Sequence, residues 1–199
     1  MIVGIVLSAG ESSRMGRPKA LLPIEGQTFL ERIVAALKKT QVGKIIVVLG
    51  HDAENMTREI KHLPVEVLIN SDYQLGQLSS LQTAVRHLQS DEHCDGMLVH
   101  LVDHPYIDGK LVDLMIQRFY ESTKLIVVPR YQGKRGHPVG FARAHGTALQ
   151  NLGGAEGAAA IVRAGKVVQL DLQDEGIVTD IDTVDDLRRA EVLLRQRSA

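Results

Sequence analysis

Short apolar runs alternate along this chain with stretches in which apolar positions recur every three or four residues. The runs predict strands over Ile2–Leu7, Lys44–Leu49, Val65–Ile69, Gly96–Leu101, Leu125–Pro129 and Val167–Leu172. They are short, rich in β-branched residues and lack polar alternation, as expected for strands covered on both faces. Between them, Phe29, Leu30, Ile33, Val34 and Leu37 mark a helix, behind a capping box formed by Thr28 and Glu31. Further helices are expected over Glu54–His62, from Ser79 or Ser80 to about Leu88, and from an Asp108 cap to about Ser122. The last one starts at a Thr183 cap with Asp186 at its third position, and its charged end near Arg197 frays. Ala144–Ala164 reads as two short helices around Gly153 and Gly154, and Gln132–Gly136 as a hairpin-like turn leading into His137–Phe141. Leu21–Ile24 is a short apolar segment, Gly43 marks a turn, and Gly50–Asp52 and Asn70–Leu78 are loops.

Strands alternating with helices imply one α/β domain over residues 1–199, a largely parallel sheet covered on both faces. Ligands of such sheets bind beyond the carboxyl ends of the strands. That rule gathers the loops Ala9–Lys19, Asn70–Ser80 and Val102–Asp108, with Asp180–Asp182 beside them. In the first loop, Ser8, Ala9, Gly10 and Ser12 let a backbone approach a ligand closely, while Arg14, Arg17 and Lys19 add positive charge. The chemistry suits a triphosphate. The loop is not a Walker motif, because Arg17 and Pro18 follow Gly16, and it is not a dinucleotide fingerprint, because Ser12 replaces the second glycine.

Composition narrows the classes. Apolar residues make up 44% and the net charge is −1, so electrostatics predict no nucleic-acid partner. The single cysteine, Cys94, lies among acidic residues, which disfavours a reactive thiolate and suits a reducing compartment. No apolar run reaches membrane-spanning length, and the first one is too short and lacks the basic start of a signal peptide. A soluble cytoplasmic protein is expected.

Asp103 follows an apolar strand and precedes His104 and Pro105. A carboxylate so placed suits Mg²⁺, which takes one or two carboxylates and completes its shell with waters and phosphate oxygens. Asp182 is the second carboxylate, with Asp180 as the fallback. His104 and His137 have no partners at zinc-ligand spacing and are expected to touch substrate or a carboxylate. His51, His62, His87, His93 and His145 read as surface residues.

The stretch LSAGESSRMGRPKALLP resembles the signature of nucleotidyltransferases of the molybdenum-cofactor type, L-A-A-G-x-S-x-R-M-G-x-x-K. Asn70, Gly76 and Ser79–Leu81 resemble the loop and helix start that follow in that family, and Asp103-His104-Pro105 its metal-binding D-x-P element. Residues 133–138, GKRGHP, are similar to the G-x-R-G-H-P turn of the cytidylyltransferase branch, and Asp180–Thr183 to the closing D-I-D-T-P-E-D-L motif. The resemblance implies a glycosyltransferase-A-like, Rossmann-like three-layer domain with a mixed sheet. It also implies transfer of a nucleoside monophosphate to a phosphorylated acceptor, with release of pyrophosphate. Asp103 and Asp182 would hold Mg²⁺, Arg14 and Lys19 would neutralise charge at the reacting phosphates, and Ser8, Ala9, Gly10, Ser12, Asn70, Gly76, Ser79 and Ser80 would surround the nucleotide. Ala9 stands where guanylyltransferases of the family usually carry a second glycine, which favours CTP over GTP and molybdopterin as acceptor. The chain departs from the family at residues 154–159, GAEGAA, where an aspartate and an arginine are usual. That departure points to a different acceptor, or to Arg135 or Arg163 in the arginine's place.

Alternatives are a guanylyltransferase of the same pathway, a cytidylyltransferase of isoprenoid synthesis and a sugar-phosphate nucleotidylyltransferase. From another class comes a non-catalytic accessory protein that delivers cofactor to a molybdenum hydroxylase.

Overall fold

The computed structural model describes residues 1–12, 15–122, 125–153 and 157–197, with side chains through residue 190. The chain begins with β1 (Ile2–Ser8), a small hairpin of β2 (Pro23–Ile24) and β3 (Gln27–Thr28), and α1 (Phe29–Lys38). It continues through β4 (Val42–Leu49), α2 (Ala53–Glu59), β5 (Glu66–Ile69), α3 (Gln77–Leu88), β6 (Gly96–Leu101) and α4 (Gly109–Glu121). Next come β7 (Ile126–Tyr131), β8 (Lys134–Arg135), β9 (Val139–Ala142), α5 (Gly146–Gln150), α6 (Ala159–Ala164), β10 (Val167–Leu172) and α7 (Val184–Arg197).

The main sheet has the order β10-β7-β9-β6-β1-β4-β5, with β8 folded back on β7. β1 sits inside it, parallel to both β4 and β6. Ile2 and Val6 face one layer, and Val3, Ile5 and Leu7 face the other. This two-sided burial explains why the run shows no polar alternation. α1 and α4 cover one face, with Met56 of α2 and Ala190 of α7 in the same cluster; α3, α5 and α6 cover the other. β9 enters antiparallel between β6 and β7, which makes the sheet mixed. The result is a three-layer α/β/α fold. Among the described residues, no helix is long and apolar enough to cross a membrane.

The capping boxes behave as expected. Thr28 Oγ1 accepts from the Glu31 N–H while Glu31 Oε2 accepts from the Thr28 N–H. Thr183 and Asp186 exchange the same pair of bonds at the start of α7.

Other expectations need correction. Gly43 is no turn: β4 starts at Val42 and runs through it. α2 stops at Glu59, capped by buried Ile60, rather than continuing to His62. Neither Ser79 nor Ser80 caps α3, which begins at Gln77 behind Gly76. Gly76 has φ 95°, a conformation that favours glycine, and this lets the chain turn into the helix earlier than a serine cap would. The Ser79 hydroxyl instead lies in the first turn, within hydrogen-bonding distance of the carbonyls of Asp72 (3.0 Å) and Gly76 (2.8 Å). β7 extends to Tyr131 because β8 pairs Arg135 and Lys134 with Arg130 and Tyr131.

Gly50 joins the carboxyl end of β4 to the loop after β1. A Cβ there would lie 2.4 Å from Tyr73 Cβ and 2.8 Å from the Ala9 carbonyl oxygen. Gly50→Ala should therefore lower stability by about 1–3 kcal/mol through overpacking, read as a lower urea midpoint at unchanged slope.

Candidate active site

Three central strands, β1, β4 and β6, end at a cavity of about 320 Å³, lined among others by Ser8, Ala9, Gly10, Ser12, Lys19 and Gly76. The first loop is tied across its base. Ser12 takes φ 51°, and its hydroxyl accepts from the Lys19 backbone N–H at 3.0 Å. Ser12 thus fixes the position from which the Lys19 side chain enters the cavity. Arg14 lies outside the described residues.

Two carboxylates meet that side chain. Val102 N–H donates to the Leu7 carbonyl (3.1 Å), which keeps the strand ends in step just before Asp103. The Asp103 carbonyl accepts from Ile181 N–H (2.9 Å), which draws the last loop alongside. Asp186 then accepts from the Asp182 N–H at 3.2 Å. As a result Lys19 Nζ stands 3.2 Å from Asp103 Oδ2 and donates to Asp182 Oδ1 as well. The three side chains are 15%, 25% and 37% exposed, in that order. Asp182 joins this cluster, while Asp180 is solvent-exposed.

The cluster fits a divalent cation. Asp103 Oδ1 is buried without a hydrogen-bond partner, and His104 Nε2 stays 3.8 Å from it. Among the described residues, no group of three or more His, Cys, Asp or Glu side chains is arranged to hold a metal. Two carboxylates without further protein ligands suit an ion such as Mg²⁺ or Mn²⁺ that completes its shell with water and phosphate oxygens.

Asn70, Ser79 and Ser80 are brought together, but mainly as structure. Buried Asn70 donates through Nδ2 to Ser79 Oγ (2.8 Å) and Ser80 Oγ (3.0 Å), and its Oδ1 accepts from Asp72 N–H (3.0 Å). Ser80 lines the cavity; Asn70 and Ser79 hold the loop behind it. His51 is exposed, as expected, and it and Tyr73 also line the cavity; His51 Nδ1 lies 3.4 Å from the Tyr73 hydroxyl. Gly50–Asp52 is itself a loop at a strand's carboxyl end, so the rule that gathered the other loops could have found His51.

A second cavity of about 480 Å³ adjoins the first and shares Leu7, Gly76, Gln77 and Leu101 with it. Leu78, Leu81, Val99, Val128, Phe141 and Val162 give it apolar walls, and Arg135 and His137 contribute charge and polarity. Gly157 to Ala159 also line it, whereas residues 154–156 are outside the described residues. His137 is anchored through its backbone N–H to the Ile177 carbonyl (2.8 Å). Its ring lies 4.8 Å from that of His104, and the ring of His100 lies 6.3 and 6.4 Å from His104 and His137. His100 lies inside what reads as an apolar strand, and its Nε2 donates to the His104 carbonyl at 2.8 Å. Burial, the largest cause, pushes all three pKa values down, that of His137 to about 4. The cluster is therefore uncharged near neutral pH.

Residues 4–171 match the profile of the family described as MobA-like NTP transferase domain. Over 94% of this chain and 95% of the relative, the sequence is 28% identical to the nicotine blue oxidoreductase of Paenarthrobacter nicotinovorans. It is 27% identical to a probable molybdenum cofactor guanylyltransferase of Thermococcus sibiricus, over 66% of this chain and 63% of that protein. The crystal structure of Rv0371c from Mycobacterium tuberculosis superposes with TM-score 0.83 at 29% identity, covering 94% of this chain and 95% of that one. A complex of that protein with manganese gives TM-score 0.78 at 27% identity, over 94% and 96%.

The histidine cluster makes stability depend on pH. His137 titrates near 6.5 when exposed and about 4 in the fold, so between those values the unfolded chain binds more protons. Its contribution is thus fully present above pH 6.5 and is lost as pH falls through about 4. His137→Gln should lose less stability than the parent between these two pH values, as measured by urea unfolding.

Proposed function

The chain belongs to the family of MobA-like NTP transferase domains, and on that footing we propose that it moves CMP from CTP to the phosphate of molybdopterin, releasing pyrophosphate. The observation that carries this reading is the Lys19–Asp103–Asp182 cluster, in the wall of a loop-lined cavity with a larger apolar cavity beside it. An acceptor phosphate is already an anionic nucleophile, so no protein nucleophile is needed. One of its oxygens forms a bond to the α-phosphorus of CTP while the bond to the β-phosphate oxygen breaks, and pyrophosphate leaves with its electron pair. Catalysis then rests on in-line positioning and on neutralising charge.

Asp103 and Asp182 are the residues that would hold Mg²⁺. The ion supplies charge neutralisation at the phosphates. Lys19, and Arg14 from the same loop, meet the remaining phosphate charge. Ala9 and Gly10 present backbone to the base, and Ser80 stands nearby. Ala9 supports CTP, since guanylyltransferases of the family usually carry a second glycine at that position. The second cavity is the acceptor site in this reading. Its apolar walls suit the fused rings of a pterin, with Arg135 and His137 at the anionic end and His104 beside them.

Asp103→Asn should slow pyrophosphate release from CTP, Mg²⁺ and molybdopterin by ~100-fold or more, the typical cost of one preorganised charge contact. Release at the parent rate would sink the metal assignment. Melting curves with Mg²⁺ and each nucleotide should show stabilisation by CTP, because a ligand of the folded state raises its stability. A shift with GTP and none with CTP would replace the cytidylyl assignment by a guanylyl one.

A further inference from the structure

The Lys19 ammonium already offsets part of the negative charge of the carboxylate pair that the transfer reading gives to a divalent cation. It lies 3.2 Å from Asp103 Oδ2 and is bonded to Asp182 Oδ1, with its side chain only 15% exposed. A second cation entering among the same oxygens meets the ammonium at close range in a partly desolvated site, where like charges repel far more strongly than in water. Protein ligands alone do not outweigh that repulsion, since the described residues offer no third His, Cys, Asp or Glu to an ion there.

Lys19 can leave. It is a point charge on a flexible four-carbon stem, its backbone is pinned to Ser12, and its side chain borders the nucleotide cavity. A triphosphate in that cavity offers the ammonium new anionic partners and brings phosphate oxygens to complete a metal's shell.

We propose that Lys19 and the divalent cation compete for Asp103 and Asp182, and that a bound triphosphate resolves the competition by drawing the lysine away, so that metal loads only together with nucleotide. This deepens the nucleotidyl-transfer reading and rests on it. Each ligand then raises the affinity for the other by the same factor. Without nucleotide the lysine keeps the carboxylate pair closed to stray cations.

The test inverts the usual effect of mutating a site residue. Mn²⁺ binding to the full chain without nucleotide is measured from the electron paramagnetic resonance signal of the free ion. Lys19→Met and Lys19→Gln should each bind Mn²⁺ at least about tenfold more tightly than the parent, within the common range of coupling between sites. Adding Asp103→Asn to either variant should abolish the gain. Unchanged or weaker Mn²⁺ binding in both lysine variants overturns the proposal, as does a gain that survives Asp103→Asn. Pyrophosphate release by the parent reports separately on the transfer reading. Release without the Mn²⁺ gain refutes the competition alone, and the gain without release refutes the transfer reading while leaving the competition standing.

Discussion

One ammonium group shared between two carboxylates holds the site together, across 84 residues of chain to Asp103 and 163 to Asp182. Contacts of such separation do not form by local propensity; they require that three loops arrive at one place. The sheet supplies that. β1 pairs with β4 and β6 in nearly continuous register, so Leu7 lies beside Leu101 and Ser8 beside Leu49 at the strand ends. The Val102-to-Leu7 and Ile181-to-Asp103 hydrogen bonds then continue the ladder beyond the strands. The site is an extension of the sheet's own hydrogen bonding, so the buried apolar residues of β1 position Lys19 and Asp103 as surely as anything that touches them.

Features driven by burial on both faces or by local capping were legible in the chain. The strand from Ile2, the box at Thr28 and Glu31 and the box at Thr183 and Asp186 all stand where the pattern puts them. The start of α3 departs from the serine cap that the pattern predicts: serines are good caps in general, while here a glycine at φ 95° turns the chain first. The family resemblance groups Asn70, Ser79 and Ser80 around the nucleotide; in the fold the Asn70 amide holds both hydroxyls and the Asp72 N–H. Polarity alone does not separate a wall from its buttress; only the hydrogen-bond partners do. His100 has no signature in the sequence, because a lone polar residue in an apolar run carries no periodic signal and its partner, the His104 carbonyl, is brought to it only by the folded loop.

Relatives of this chain bear names as different as guanylyltransferase and oxidoreductase. A shared fold tolerates such divergence because function resides in what lines the cavities. In this chain the two cavities differ in kind. The first is bounded by loop backbone, small side chains and the charged cluster; the second is bounded chiefly by aliphatic residues of α3, β6, β7 and β9. The hydrogen bonds that Lys19 makes to Ser12, Asp103 and Asp182 do not involve the residues that wall the second cavity.

The neutral histidines belong to the same economy of charge. His104 and His137 pack within 4.8 Å of each other beside Asp103, and protonated rings there would supply cations to the carboxylate that Lys19 already serves. Burial keeps them uncharged, against the pull of Asp103, which by itself would raise their pKa values. Among the described residues, the charge on the carboxylates is therefore met by Lys19, on a side chain long enough to move. A fixed imidazolium would offset part of the pair's charge permanently, whereas an ammonium on a flexible stem can do so and still give way.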